Sequence, residues 1–193
     1  MFTGIVQAVG RITRTSPLTI ETGRLPLRDV KVGDSICVQG CCLTVTTKAK
    51  GRLCFDVSKE TLRVTAGLDR PGPVNLEKSL AFGDKLGGHL VSGHVDGIGT
   101  VQRRAGGLLQ VKLPRSLARY VARKGSICID GVSLTVNRVR GERFEVNLIP
   151  HTLRVTTLKR LAPGARVNLE VDLFARYLEQ LWPVRRRARA RRR

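Results

Sequence analysis

Aromatic side chains are scarce in this chain: five phenylalanines, two tyrosines and one tryptophan among 193 residues. Few of them lie beside basic residues, so no platform for stacking nucleic-acid bases is expected. Histidine is rarer still, at three residues, and the five cysteines (Cys37, Cys41, Cys42, Cys54 and Cys128) contain no C-x-x-C pair. That shortage of ligands argues against a zinc site, and no metal is expected. An odd cysteine count, with two residues adjacent, does not form a disulfide framework either; reduced thiols in a reducing compartment fit better. Long apolar runs are also missing, and nothing approaches the roughly 20 residues that cross a bilayer. The opening MFTGIVQAVGR has no basic segment followed by a long apolar core, so no secretory signal is expected and a cytoplasmic address follows by default. Acidic residues are the last shortage. Fifteen of them against 35 lysines and arginines leave a net charge of +20, and seven arginines fall within residues 184–193. Such a run reads first as a solvated tail, with contact to nucleic acid or an anionic surface as the sharper alternative.

What is present is a repeat. Residues 35–45 read SICVQGCCLTV and residues 126–136 read SICIDGVSLTV, identical at seven of eleven positions. The match continues between GIVQAVGRI (4–12) and GHVDGIGTV (93–101), ETLRVT (60–65) and HTLRVT (151–156), and VNLE (74–77) and VNLE (167–170). A period of about 90 residues is too long for a solenoid unit and suits a small domain. The expected division is a barrel over 1–89, a second over 90–172, a helix over 173–183 and a tail over 184–193.

Short Val/Ile/Leu/Thr-rich runs that stop at Gly, Pro or Asp predict strands in each half: FTGIVQAVGRIT, SICVQGCCLTVTT, RLCFDVS, RVT and VNLEKS, then HVDGIGTVQRR, LLQVKLP, SICIDGVSLTVNRV, RFEVNLI and RVNLEVD. Turns every 8–12 residues point to an all-β fold of two small antiparallel barrels. Two segments depart from this. PRSLARYVARKG (114–125) reads as a short helix closed by Gly125. DLFARYLEQLWP (172–183) is the stronger helix: Asp172 caps it, Pro183 ends it, and Phe174, Tyr177, Leu178, Leu181 and Trp182 make an apolar stripe. The first half has no counterpart to that helix. The stripe packs on its own domain or on another subunit.

Aligning the halves isolates the residues that differ: Cys42 against Ser133, Ile5 against His94, and Gly33 against Lys124. Cys42 reads either as a small buried apolar residue or as a nucleophile that nearby cations would activate. His94 lies in the glycine-rich GGHLVSGHVDGIG and is either a turn histidine or a proton carrier suited to neutral pH. Neither GGH nor SGH fits a dinucleotide fingerprint. CLT (42–44) and SLT (133–135) place hydroxyl or thiol groups at alternate positions, hence on one face of a strand. Two such faces suit two copies of one polar heterocycle. DVSKET (56–61) and NLIPHT (147–152) are the aligned polar strand ends.

MFTGIV, GCCLTV, ETLRVT, GGHLVSGHVDG, KGSICIDGVSLTV and IPHTL together resemble riboflavin synthase of the alpha type, in order and in register over roughly residues 1–172. The resemblance implies two six-stranded Greek-key barrels and a C-terminal helix that assembles a homotrimer. It implies a cofactor-independent transferase reaction in which one 6,7-dimethyl-8-ribityllumazine gives a four-carbon unit to another, yielding riboflavin and 5-amino-6-ribitylaminouracil. Two lumazines would share a site formed by the first barrel of one subunit and the second barrel of its neighbour. Carried across by position, Gly4, Ile5, Val6, Cys42, Leu43, Thr44, Asp56, Val57, Ser58, Lys59, Glu60 and Thr61 would hold one lumazine. Gly93, His94, Val95, Lys124, Ser133, Leu134, Thr135, Asn147, Leu148, Ile149, Pro150, His151 and Thr152 would hold the other. Cys42 and His94 are the expected carriers of chemistry, with Ser35, Ser133 and Thr135 orienting the reacting atoms and Phe2 and Thr3 close by. Non-catalytic lumazine-binding proteins share the fold and are the alternative. Gln39 departs from the Asn that many family members carry before the glycine, which bears on local turn geometry. The arginine tail is outside the family pattern.

Overall fold

The structure is a computed structural model and describes residues 1–181. The expected tail over 184–193, together with Trp182 and Pro183 of the expected helix, lies outside the described residues.

Twelve strands form two closed antiparallel barrels of six. The first contains β1 (Ala8–Thr15), β2 (Leu18–Glu21), β3 (Ser35–Val38), β4 (Cys41–Ala49), β5 (Arg52–Phe55) and β6 (Gly72–Lys78), in the order β1-β2-β5-β4-β3-β6. The second contains β7 (Gly97–Ala105), β8 (Leu108–Lys112), β9 (Ser126–Ile129), β10 (Val132–Arg140), β11 (Arg143–Asn147) and β12 (Arg166–Val171), in the equivalent order. Alternation drives the closure. Along β1, Ala8, Gly10 and Ile12 are buried while Val9 and Arg11 are exposed, so one face of each strand fills the barrel. Phe55 is fully buried where the second barrel has Val146, and Phe144 where the first has Leu53. The repeat reaches the irregularities too: the register shifts between Val45 and Thr47 in one barrel and between Val136 and Arg138 in the other.

Two-residue turns split each long motif into a hairpin. Gln39-Gly40 joins β3 to β4, and Asp130-Gly131 joins β9 to β10; all four residues have positive φ. Such a turn requires left-handed backbone at both central positions, where Asp is better suited than Gln.

The repeats face one another about a local two-fold axis. Phe2 and Val91 hold equivalent positions and bridge each other across it, N–H to carbonyl, at 2.7 and 3.1 Å. Gly40 and Gly131 meet there, with room for no side chain: a Cβ on Gly40 would stand 2.9 Å from the Gly131 nitrogen. The side chains of Asn75 and Asn168 bind the barrels reciprocally. Asn75 donates to the Asp130 carbonyl and accepts from Thr157 N; Asn168 donates to the Gln39 carbonyl and accepts from Ala66 N, all at 2.7–2.8 Å.

Three elements differ from the sequence reading. RVT was expected as a strand, but Arg63 and Val64 close a short helix, α1 (Lys59–Val64), whose N-terminus Ser58 caps. Its repeat is α2 (Pro150–Val155), where DVSKET and NLIPHT suggested only strand ends. Helices this short have no sustained periodicity to read. The helix expected over 114–125 is a 3-10 helix from Arg115 to Tyr120 and stops before Gly125. The terminal helix, α3 (Leu173–Leu181), forms as expected, with Phe174 N donating to Asp172 Oδ1 at 3.0 Å.

Candidate active site

Two buried carboxylates organise the loops that precede β1 and β7. Glu77 on β6 accepts from Thr3 N (2.7 Å), Thr3 Oγ1 (2.6 Å) and Gly4 N (3.0 Å). Glu170 on β12 repeats the pattern with Ser92 N (2.6 Å), Ser92 Oγ (2.7 Å) and Gly93 N (2.9 Å). Burial raises both carboxyl pKa values, and these hydrogen bonds work against the rise. Each loop then crosses to the other barrel. Ser133 N donates to the Gly4 carbonyl and Cys42 N to the Gly93 carbonyl, both at 2.8 Å. Val6 accordingly packs on the second core and Val95 on the first.

The crossing fixes glycine at both points. Gly4 and Gly93 have φ of +73° and +78°, and a Cβ on either would lie 2.6 Å from the Cβ of Ser133 or Cys42. It also regroups the expected residues. Gly4–Val6 were placed with Cys42, and Gly93–Val95 with Ser133; the hydrogen bonds pair them the other way. Chain order had suggested that each loop serves its own barrel, whereas the loops are exchanged about the two-fold axis.

The half-sites differ where the repeats differ. Ser133 Oγ lies 2.7 Å from His89 Nδ1, a hydrogen bond whose direction follows the histidine tautomer. His89 is buried, its backbone N–H donates to the Thr3 carbonyl at 3.2 Å, and its Nε2 has no partner among the described residues. Burial lowers its pKa, with Asp172 opposing, so the ring is neutral at neutral pH. Gly88 allows this approach, since a Cβ there would fall 2.2 Å from the Thr3 carbonyl oxygen. Among the described residues Cys42 has no such partner. It is half-buried beside the axial cluster of Phe2, Cys37, Val91 and Cys128, and His94 is exposed two residues after Ser92, whose Oγ accepts from His94 N at 3.2 Å.

The sequence reading missed His89. It aligns with a position before residue 1, so comparing the halves cannot reveal it; only its place in GGHLVSGH marked it.

The other expected residues distribute by strand alternation. Cys42 and Thr44 share the outer face of β4, and Ser133 and Thr135 share that of β10. Leu43, Leu134 and Leu148 turn inward and fill the cores, so only their backbones face the half-sites. Phe2 is likewise fully buried on the axis. Ser35 lies opposite Thr44 on β3. Asp56, Val57, Ser58, Lys59, Glu60 and Thr61 enter and begin α1, where Ser58 accepts from Thr61 N and Glu60 pairs with Arg63. Asn147, Ile149, Pro150, His151 and Thr152 do the same around α2, with Ile149 and His151 exposed. Lys124 is exposed at the turn before β9, with φ of +69°. A cavity of about 320 Å³ opens beside the first loop, lined in part by Thr3, Ile5, Gln7 and Glu77.

Helix α3 is tied to the second loop. Arg176 Nη2 donates to both Asp96 oxygens, at 2.8 and 3.0 Å, two residues from His94. Tyr120 and Arg119 both reach Glu179 from the 3-10 helix. The opposite face of α3 exposes Phe174, Tyr177, Leu178 and Leu181, each at least 60 % accessible.

Paired six-stranded barrels with matched loops at matched polar strand faces define a tandem lumazine-binding protein. Residues 3–79 and 92–172 each match the lumazine binding domain family. A riboflavin synthase of Mycobacterium tuberculosis (strain H37Rv) is 46% identical, the match covering 94% of this chain and 98% of that one. A riboflavin synthase of Photobacterium phosphoreum is 42% identical over 94% and 88%. Among solved structures, LumP complexed with riboflavin superposes with a TM-score of 0.77 at 29% identity, covering 89% of this chain and 99% of that one. LumP complexed with 6,7-dimethyl-8-(1'-D-ribityl) lumazine gives 0.75 at 27% identity over the same shares. The chain belongs to the riboflavin synthase family.

Proposed function

We propose that this chain converts two molecules of 6,7-dimethyl-8-ribityllumazine into riboflavin and 5-amino-6-ribitylaminouracil. One lumazine transfers a four-carbon unit to the other, and the atoms balance with no redox partner. The observation that carries this reading is a pair of half-sites with one scaffold and different reactive groups: Ser133 with His89 in one, Cys42 with the His94 loop in the other. A reaction between two identical molecules needs them treated differently. Neutral His89 can accept a proton through Ser133, the transfer that activates the acidic C7 methyl of one lumazine. Holding two flat rings face to face supplies several kcal/mol of the barrier.

The half-sites sit on different barrels of one chain, which supports a productive site made from the Cys42 half-site of one subunit and the Ser133 half-site of its neighbour. Helix α3 supports the homotrimer this requires. Its polar residues bind its own second barrel while its apolar stripe faces outward, the reverse of a helix that packs on its own domain. A second copy of the chain is the occupant we assign to that stripe. The barrels then correspond to 1–89 and 90–172, with 173–183 as the assembly helix and 184–193 as an appended basic tail. Five free thiols support a cytoplasmic setting.

Mixing the protein with the lumazine alone and following riboflavin absorbance tests the activity. Substitution of His89, His94, Cys42 or Ser133 by Ala in folded protein is expected to lower turnover. Unchanged turnover would remove that residue from the mechanism. Tight lumazine binding without turnover would make the chain a non-catalytic binding protein instead.

A further inference from the structure

The outer face of the second barrel carries a feature that lumazine chemistry does not use. Strands β8, β10 and β11 frame a cleft of about 510 Å³ lined by Lys112, Arg138, Arg140, Arg143, Glu142 and Glu145, with Gln110 and Gly141. The strand register sets Arg140 directly opposite Arg143, and Arg143 directly opposite Lys112. Three cations thus form a row across adjacent strands that lie about 4.8 Å apart. Arg138 adds a fourth in the next row, opposite Glu145.

The carboxylates do not neutralise this row. Glu142 approaches Lys112 only to 3.8 Å, and Glu145 accepts from Gln110 Nε2 at 2.8 Å. Among the described residues Arg138, Arg140 and Arg143 have no salt-bridge partner, and all three are exposed. Like charges directly opposite each other destabilise a sheet.

The first barrel shows what the scaffold itself requires. There the equivalent row is Ala49, Arg52 and Glu21, and Arg52 pairs with Glu21 at 3.0 Å. Thr47 stands where the second barrel has Arg138, and Cys54 where it has Glu145. The same strands close into a barrel with a neutral row, so the fold has no need of the cations. An anion that bridges them removes their mutual repulsion.

We propose that this cleft binds an oligophosphate chain, either free or as the triphosphate of a nucleotide. Guanidinium forks match phosphate oxygens in pairs, and a row spanning three strands accommodates more than one phosphate group. No aromatic side chain lines the cleft, so recognition rests on the phosphates rather than on a base. The proposal does not depend on the catalytic reading, and variants of the cleft are expected to keep full lumazine turnover.

The test is calorimetric titration of the full chain with inorganic tripolyphosphate at low salt, with ATP and adenosine as further arms. The tail is present throughout as a constant background. Arg140→Ala/Arg143→Ala is expected to weaken binding at least tenfold. Arg24→Ala/Arg28→Ala, which removes two exposed arginines of the first barrel, is expected to change it less than twofold. ATP should bind as tripolyphosphate does and adenosine should not bind; the reverse order would refute recognition through phosphate. Lys112→Glu recreates the ion pair of the first barrel. It is expected to raise the melting temperature without ligand and to abolish the rise that tripolyphosphate gives the unmodified chain. Equal loss in both arginine pairs would show bulk charge attraction alone and overturn the proposal. So would absence of saturable binding, or a tripolyphosphate-induced rise that survives Lys112→Glu.

Discussion

Asp130 makes the inter-barrel contact sensitive to pH. Its side chain is buried in the turn that meets Gly40 and accepts from Asn168 N at 2.8 Å, while its carbonyl accepts from Asn75. Burial pushes its pKa from 3.8 up to about 7, against the opposing hydrogen bonds from Asn168 and Gln39. A raised folded-state pKa means that the folded protein holds the proton more tightly. The stabilisation is therefore complete below the unfolded value of 3.8 and is lost as pH rises through about 7. A rise from 3.8 to about 7 corresponds to roughly 4 kcal/mol, of which about 2–3 kcal/mol falls between roughly pH 5 and pH 8. For a chain of this size that is a fall of about 5–10 °C in melting temperature. Glu77, Glu170 and Asp96 are shifted in the same direction by burial, and His89 is lowered, with the opposite slope. Asp130→Asn isolates the one group, since its carboxamide oxygen can still accept from Asn168 N. Denaturant unfolding of both proteins at fixed concentration across this window reads the difference. The variant is expected to lose the part of the pH slope that Asp130 supplies, and identical slopes in the two proteins would refute the reasoning.

Glu170→Ala removes three hydrogen bonds to a buried carboxylate and frees the loop that carries Gly93 and His94; a loss of about 3 kcal/mol or more in unfolding free energy is expected, measured by denaturant titration. Leu178→Glu puts charge on the exposed stripe of α3, where Leu178 is 61% accessible, and is expected to leave the monomer folded by circular dichroism while lowering the mass in solution. Gly4→Ala and Gly93→Ala each force a Cβ to 2.6 Å from the facing Ser133 or Cys42 Cβ and are expected to abolish most turnover singly. Co-refolding the two variants should restore activity at about one quarter of the sites, because a closed ring pairs neighbours at random and one pairing in four joins two intact half-sites; no recovery would place the reacting pair within a single chain.

The architecture was legible because period-two alternation and the internal repeat report the same thing. VNLE occurs twice because Asn75 and Asn168 must each bridge to the other barrel, and Glu77 and Glu170 must each hold a loop. Thr44 and Thr135 were legible as outward-facing for the same reason. The helices α1 and α2 were not, since six residues give a stripe too little length, and their formation rests on the Ser58 cap in one case and on Pro150 at the start of the other. Partners across space were the larger gap. Nothing local tells that Gly4 meets Ser133 rather than Cys42, because the exchange is a property of how two barrels face each other. His89 was hidden for a related reason: it belongs to the connection between repeats, outside the segments that align.

That connection also explains why the halves differ in chemistry. A duplicated domain starts with equivalent half-sites, and substitution inside either repeat can change a side chain but adds no new segment. The linker between β6 and β7 reaches one half-site, and what it brings there makes that half-site unlike its twin. It delivers Gly88 and His89 to Ser133, where a Cβ on Gly88 would fall 2.2 Å from the Thr3 carbonyl oxygen, and among the described residues no histidine hydrogen-bonds to Cys42. The asymmetry between the two half-sites thus follows first from chain connectivity. The Cys42 and Ser133 difference acts on top of it: a hydroxyl can exchange a proton with a neutral imidazole 2.7 Å away, whereas the thiol stands beside an apolar cluster without such a partner among the described residues.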